Sequence, residues 1–371
     1  MKRVFQFTIV VVAGGLLLSG CRARIQSPTV AGTPVPTPAA STSPTPLAAA
    51  IPPKEQAPTL LPGPNAVPRD TRIVVNIPAF RLDVFHDGTL INSYRIGIGY
   101  PQFPLPTGLR KAQLIIFNPT WTPPDSPWVD SMNVMPGETI GAGSKLNPLG
   151  PIKIPIGMPS LIHGGKPLSK IGTFASHGCV GMTNAEVKDF AKVLVQASDT
   201  DLSDETMSKY LDKRTRTRVV NLHKLIPIEL RYETIVVEDG VLHIYRDVYG
   251  QNTNTQENLR EVFKANGVDW NRLTEDERAQ VEEALNAMSP RPKKRSAPKP
   301  AITTSSDSAN TMAAANERKA EAERQKKLRS QKEIVIESTA LSGKGYPAPV
   351  NLDSGAGRVV SALISPTTNR P

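Results

Sequence analysis

Cysteine is scarce in this chain, with only Cys21 and Cys179 among 371 residues. No Cys-x-x-Cys pair is present, so a structural zinc site built on paired cysteines is excluded. A zinc site could also use His163, His177 and Cys179, but the sequence offers no fourth ligand at suitable spacing. We therefore expect no metal ion and no organic cofactor.

The surroundings of Cys179 are unusual for a buried structural cysteine. The segment 176–179 reads Ser-His-Gly-Cys, and His163 is followed by Gly164 and Gly165. Free cysteine is often buried in apolar cores, but histidines and glycines are poor material for such a core. A thiol becomes nucleophilic when a nearby base or cation favours its thiolate form. The pattern therefore predicts that Cys179 is a catalytic nucleophile.

The amino terminus predicts a secreted and lipid-anchored protein. Lys2 and Arg3 precede a mostly apolar run over residues 4–18, which is short for a membrane span and typical of a signal peptide. Residues 18–21 read Leu-Ser-Gly-Cys and resemble the lipobox of bacterial lipoproteins. That resemblance implies a diacylated Cys21 as the first mature residue; the alternative is an ordinary secretory signal that happens to contain cysteine.

Residues 22–70 are rich in Pro, Ala and Thr and predict an unfolded tether. Such a segment spans roughly 35–40 Å as a flexible coil and approaches about 150 Å when extended. With Cys21 acylated, Cys179 has no disulfide partner in the chain. A lone thiol in an oxidising envelope is a liability unless it is used.

Alternating and β-branched segments predict a mainly β domain over residues 71–250. Strand patterns cover residues 72–77, 81–85 and 90–98, and Asp87-Gly88 forms a hairpin turn between the last two. A further hairpin is expected at 226–245, with its turn at Asp239-Gly240. Thr183 and Glu186 form a capping box that opens a helix reaching about residue 197.

These motifs together resemble the L,D-transpeptidase (YkuD-type) catalytic domain. The resemblance rests on His163-Gly164, on the segment 176–179 and on Asn184, with support from 96–99, 106–108, 118–124 and 147–150. It covers about residues 71–250 and implies a β-sandwich-like fold with short helices. It also implies action on peptidoglycan stem peptides. Papain-like endopeptidases place the cysteine before its histidine, whereas His163 comes first here.

The resemblance assigns roles residue by residue. Cys179 is the nucleophile, His163 is the general base, and the carbonyl of Gly164 fixes the tautomer of that histidine. His177 is the alternative base. Backbone N–H groups at Gly178 and its neighbours are candidates for the oxyanion hole. Ser176 and Asn184 are expected to hold the loop and to cap the helix.

One position departs from the family pattern. The family usually has an arginine two residues after the cysteine, where this chain has Gly181. Lys145, Lys166 and Lys170 are candidates to supply the missing positive charge, and the sequence does not choose among them. A catalytically idle peptidoglycan-binding lipoprotein is the alternative that Gly181 favours.

The carboxy-terminal third carries little recognisable chemistry. Residues 251–289 predict a helical pair, which we expect to pack on the catalytic domain; an independent partner-binding hairpin is the alternative. Residues 290–371 predict a disordered basic low-complexity tail, with helical character over 313–332. The tail carries much of the formal charge of +10. In the envelope this charge favours acidic polymers or lipid headgroups over nucleic acid.

The sequence thus predicts a lipid-anchored, periplasm-facing L,D-transpeptidase. L,D-carboxypeptidase activity, in which water replaces the amine acceptor, is the closest alternative. Arg22 stands where an aspartate would favour the inner membrane in enterobacteria, which favours the outer membrane if the organism has one.

Overall fold

A computed structural model describes residues 64–157, 159–289 and 308–352, with only the backbone described for 308–318. The predicted signal peptide, Cys21 and the tether as far as residue 63 lie outside the described residues, as does 353–371. Within the described residues the protein is mainly β with short helices, and this prediction is confirmed.

Thirteen strands occur in the described residues. They are β1 Arg72–Asn76, β2 Arg81–His86, β3 Thr89–Arg95, β4 Ile98–Gly99, β5 Gly108–Phe117, β6 Ile152–Pro155, β7 Leu161–His163, β8 Phe174–Ser176, β9 Val180–Gly181, β10 Arg218–Arg231, β11 Ile235–Glu238, β12 Val241–Tyr245 and β13 Glu333–Glu337.

Five α-helices complete the described fold. They are α1 Asn184–Ala197, α2 Asp204–Asp212, α3 Gln256–Ala265, α4 Glu275–Met288 and α5 Ser308–Ser330.

The largest sheet has eight strands in the order β3-β2-β1-β10-β5-β6-β7-β9. Its pairs are antiparallel except β1 with β10 and β7 with β9, which are parallel. A separate small sheet pairs β4 with β8 in parallel. Strands β7 and β9 form one edge of the main sheet, and the segment 177–179 lies between the end of β8 and the start of β9.

Helix α1 covers the core side of this sheet. Its N-cap is Thr183, whose side chain accepts a hydrogen bond from the Glu186 N–H while Glu186 bonds back, as predicted; such caps contribute about 0.5–2 kcal/mol. Phe190 is fully buried and meets Tyr94 edge-to-face at 5.5 Å. Burying a side chain of this size stabilises by roughly 1.5–3 kcal/mol, so α1 fixes the chain directly after the nucleophile segment.

A second core lies in the carboxy-terminal layer, which we define as β11, β12 and β13 with α3, α4 and α5. Its three strands pair in the order β11-β12-β13. Leu242, Phe263 and Leu285 are buried in it. A buried ion pair at 2.7 Å between Arg81 of β2 and Glu238 of β11 joins this layer to the main sheet.

The structure corrects two predicted boundaries. The stretch expected to form one strand over 226–237 divides between β10 and β11, which belong to different sheets, so the catalytic sheet ends near Arg231. The helical pair packs on its own three-stranded sheet. The predicted disorder is wrong for residues 333–337, because Ile334 and Ile336 are buried and β13 pairs with β12. Helix α5 lies where helical character was predicted.

In the described parts of the chain, no helix combines the length and hydrophobicity that a membrane span requires.

Candidate active site

Side-chain hydrogen bonds shape the segment that carries Cys179. The Ser176 hydroxyl accepts from the Cys179 N–H at 3.0 Å and donates to the Cys179 carbonyl at 2.5 Å. The buried Ser160 hydroxyl donates to the Gly178 carbonyl at 2.9 Å. Gly178 has a φ of +98°, which a residue with a side chain rarely adopts. Ser176 therefore holds the loop closed around Cys179.

Strand register brings His163 next to the strand that directly follows Cys179. In the parallel pair of β7 and β9, Ile162 lies opposite Val180 and His163 lies opposite Gly181. Side chains alternate between faces along a strand. Ile162 and Val180 are fully buried in the main core, so His163 faces the other side of the sheet. Cys179 lies in the bend directly before β9, where the backbone of Leu161 in β7 hydrogen-bonds its thiol.

His163 is a neutral, oriented imidazole. Its ring is 3 % exposed, and its Nδ1 lies 2.7 Å from the Gly164 carbonyl oxygen. A carbonyl can only accept, so Nδ1 carries the proton and Nε2 keeps its lone pair. Burial and the charge of Lys166 lower the pKa of His163 to about 3, against smaller opposing effects of the Gly164 and Leu149 backbone.

The Cys179 thiol is half-buried and protonated at neutral pH. Burial raises its pKa above the ordinary value. A hydrogen bond from the Leu161 backbone and the charge of Lys166 act in the opposite direction. The free site therefore holds a thiol beside a neutral imidazole, and a thiolate–imidazolium pair is not its resting state.

His177 lies among aromatic rings. It stacks on Trp128 with centroids 4.0 Å apart and planes 6° apart. Phe103 meets it edge-to-face at 5.0 Å, and Tyr100 lies 5.3 Å away. Burial and, as the smaller cause, the charge of Lys166 lower the pKa of His177. These contacts tie the nucleophile segment to the long loop 118–151 between β5 and β6.

Asn184 braces the histidine side of the site. Its Oδ1 accepts the Gly165 N–H at 2.8 Å. Thr183 caps α1, and Asn184 is the first helical residue. Asn184 thus links the start of α1 to the turn that follows His163.

Gly181 leaves a space that Lys166 fills. A Cβ added to Gly181 would lie 2.8 Å from Cγ and 3.0 Å from Cε of Lys166. Of the three lysines considered from the sequence, only Lys166 acts on the charge state of Cys179. Lys145 instead lines a polar cavity of about 440 Å³, which also includes Gly165 and Asn184.

Two site residues were missed by sequence reasoning. Ser160 and Trp128 lie in loops with no motif, and their contacts join segments distant in the chain. No signal in the sequence marks Ser160, since serine in a loop is common. Within the described residues no group of three or more His, Cys, Asp or Glu side chains is arranged to hold a metal ion.

Residues 70–220 match the family model described as the YkuD L,D-transpeptidase catalytic domain. The resemblance is confirmed for this segment. It contains the nucleophile segment, His163 and α1, and it ends before the carboxy-terminal layer begins. No curated protein matches the chain.

Solved L,D-transpeptidase structures are similar to part of the chain. The catalytic domain of the Enterococcus faecium enzyme aligns at 15 % identity with a TM-score of 0.29, over 45 % of this chain and 100 % of that one. The Mycobacterium smegmatis enzyme aligns at 15 % identity with a TM-score of 0.24, over 43 % and 58 %. Mycobacterium tuberculosis L,D-transpeptidase 3, with a faropenem-derived adduct, aligns at 14 % identity with a TM-score of 0.26, over 43 % and 60 %. The alignment thus spans little more than half of either mycobacterial chain.

Proposed function

We propose that this protein is a peptidoglycan L,D-transpeptidase in which Cys179 is the nucleophile and His163 the general base. The observation that supports the proposal most is the pairing of β7 with β9, which aligns His163 with Gly181, two residues after Cys179. The neutral state of His163 adds to it, because a base must be unprotonated to accept a proton.

Acylation begins with attack on the carbonyl carbon of the diaminopimelate residue in a tetrapeptide stem. The Sγ–H bond of Cys179 breaks as the Sγ–C bond forms, and the proton passes to Nε2 of His163. When the tetrahedral intermediate collapses, the C–N bond to the terminal D-alanine breaks. The leaving amine takes the proton from Nε2, and a thioester remains on Cys179.

The weak basicity of His163 shapes this step. Because the pKa of the thiol is raised and that of the imidazole is lowered, proton transfer in the free site is unfavourable. Transfer coupled to attack avoids a free thiolate–imidazolium pair. A substrate that excludes water and places its carbonyl against the thiol therefore promotes the step.

Gly178 supplies the backbone donor for the oxyanion. The Cys179 N–H donates to Ser176, so it is engaged in the resting site. Among the residues that the structure describes, the Gly178 N–H has no hydrogen-bond acceptor. Such a preorganised donor in a water-excluded site stabilises developing charge.

In the second half of the reaction an amine acceptor attacks the thioester. The amine loses its proton to Nε2 of His163, the new amide forms, and the thiol is restored. The product is a 3→3 cross-link or a protein attached to the stem. Attack by water on the same thioester would give a tripeptide, which is the L,D-carboxypeptidase outcome.

We place the domain in the cell envelope, facing the periplasm and anchored by lipid on Cys21. The lipobox-like end of the apolar run 4–18 supports this placement. Arg22 favours the outer membrane where one exists. The basic region after residue 290 adds a second contact, with acidic envelope polymers.

Incubation with purified peptidoglycan tests the proposal. The chain carrying Cys21→Ser is compared with the same chain carrying Cys179→Ala as well, and muropeptides are analysed by mass spectrometry. Dimers with 3→3 links, or transfer to an added D-amino acid, are expected only when Cys179 is present. Accumulated tripeptides would favour the carboxypeptidase. Binding without any product would favour the idle lipoprotein and would exclude the transpeptidase.

A further inference from the structure

Lys166 occupies the position beside the nucleophile that Gly181 leaves open. Gly181 follows Cys179 by two residues and lies in β9, opposite His163. The stem of Lys166 covers this point, because its Cγ, Cε and Cδ lie 2.8, 3.0 and 3.4 Å from the position of a Cβ at Gly181. The side chain therefore passes over the strand that directly follows Cys179, and its charge acts on the thiol.

The backbone holds Lys166 in this place. Its N–H donates to the Met182 carbonyl at 3.1 Å. The preceding Gly165 has a φ of +80° and is tied to Asn184, and Pro167 follows. The lysine is thus fixed from both sides, in contrast to a lysine on a solvated loop.

No carboxylate of the described residues forms an ion pair with Lys166. Its charge instead acts on the site. It favours the ionised form of Cys179 and the neutral forms of His163 and His177. Half-burial makes these effects stronger than they would be in open solvent.

We propose that Lys166 is the positioning residue that stabilises the Cys179 thiolate, with its stem seated on Gly181. The inference rests on the proposed function for its role in turnover. The electrostatic effect itself is measurable without any peptidoglycan substrate. A positive charge near a thiol favours its thiolate.

The test uses the full chain with Cys21→Ser, in which Cys179 is the only thiol. Thiolate formation is followed by ultraviolet absorbance across pH, and alkylation is measured with neutral iodoacetamide and with anionic iodoacetate. Lys166→Met keeps an aliphatic stem over Gly181 and removes the charge. Lys166→Arg keeps the charge, and Lys170→Met is the matched control, since Lys170 is an exposed lysine of the same loop.

We expect Lys166→Met to move the thiol titration upward by about one unit, so that alkylation at neutral pH slows about tenfold. The ratio of iodoacetate to iodoacetamide rates should also fall, because the cation attracts the anionic reagent. Lys166→Arg and Lys170→Met should keep the parent titration. An unchanged titration and an unchanged ratio in Lys166→Met would overturn the proposal.

A second measurement covers the case in which Lys166→Met does not fold. In the parent chain, added salt should lower the iodoacetate-to-iodoacetamide ratio, since it screens the cation. A ratio that salt leaves unchanged would overturn the proposal. The Lys166 proposal and the transpeptidase proposal can fail separately. If Lys166→Met shifts the thiol titration but the parent chain has no transfer activity, the Lys166 proposal stands and the transpeptidase proposal is rejected. If the parent chain shows transfer activity but Lys166→Met leaves the titration unchanged, the transpeptidase proposal stands and the Lys166 proposal is rejected.

Discussion

Trp128 stacks on His177 with ring planes 6° apart and centroids 4.0 Å apart. Trp128 belongs to the loop 118–151, and His177 belongs to the nucleophile segment. A contact of this kind contributes about 0.5–1.5 kcal/mol beyond the buried area. His177 thus couples the loop to the nucleophile, which accounts for its surroundings without a role as base.

We expect His177→Ala and Trp128→Ala to have similar effects. Each should lower acylation by a carbapenem about tenfold or less and should increase proteolytic cleavage within 118–151. The double variant should lose less acylation rate than the sum of the two single losses, because both substitutions remove the same contact between Trp128 and His177. If His177→Ala slows acylation far more than Trp128→Ala with an unchanged melting temperature, His177 is the base.

His163→Ala is expected to lower the acylation rate by roughly 10²–10⁴, the usual range for general acid–base catalysis. The reason is that the substitution removes Nε2, the atom proposed to accept the proton of the Cys179 thiol. Stopped-flow or mass-spectrometric acylation by a carbapenem measures the effect. The control is His223→Ala, an exposed histidine in β10. Wild-type acylation in His163→Ala would remove this residue from the mechanism.

The buried His163 also predicts a pH dependence of stability. Its folded-state pKa of about 3 lies below the ordinary value of 6.5. Between these values the unfolded chain binds the proton more readily than the folded one, so the free energy of unfolding should fall as pH drops from 6.5 toward 3. His163→Gln should flatten this part of the curve in urea titrations. An identical slope in the variant would contradict the assignment.

Adding a side chain at Gly181 is expected to disrupt the site. Gly181 does not have a positive φ, so backbone strain is not the reason for glycine at this position. A Cβ would instead meet the Lys166 stem at 2.8 Å and displace it. Gly181→Ala should therefore raise the apparent pKa of the Cys179 thiol, and the effect should vanish in a Lys166→Ala background. A lower thiol pKa in Gly181→Ala would contradict this account.

Cys21→Ser tests the lipid anchor, which the structure does not describe. If acylation of Cys21 anchors the protein, the variant should move from the membrane to the aqueous fraction when envelopes are separated by ultracentrifugation. Its acylation by a carbapenem should match the parent protein, since Cys179 is unchanged. Cys179→Ala is the matched control and should stay in the membrane. Retention of Cys21→Ser would assign anchoring to the uncleaved signal or to the basic region.

Local patterns sufficed for much of the fold. The hairpin at Asp87-Gly88, the helix opened by Thr183 and Glu186, and the helices α3 and α4 all occur where sequence signals predicted them. Turn chemistry and capping act within a few residues, so a single stretch of sequence contains the information. The boundary between β10 and β11 could not be predicted this way. The parts of residues 226–237 that belong to β10 and to β11 are similarly apolar. They are distinguished only by the strands with which they pair.

The carboxy-terminal strand shows the same limit. Residues 333–337 are short and lie within a basic region, so composition favours disorder. Pairing with β12 and burial of Ile334 and Ile336 against α4 override that composition. Tertiary burial decides such a strand, because its apolar side chains have no local partners.

By itself, the sequence determined the candidate nucleophile, its histidines and the family resemblance, because reactive residue types and glycine turns are local features. Only the tertiary structure decided what surrounds them. Through strand register it aligned His163 with Gly181, two residues after Cys179, and it turned His177 toward Trp128. It also selected Lys166 among three lysines, since the packing of a stem over Gly181 depends on segments that meet only in the folded chain.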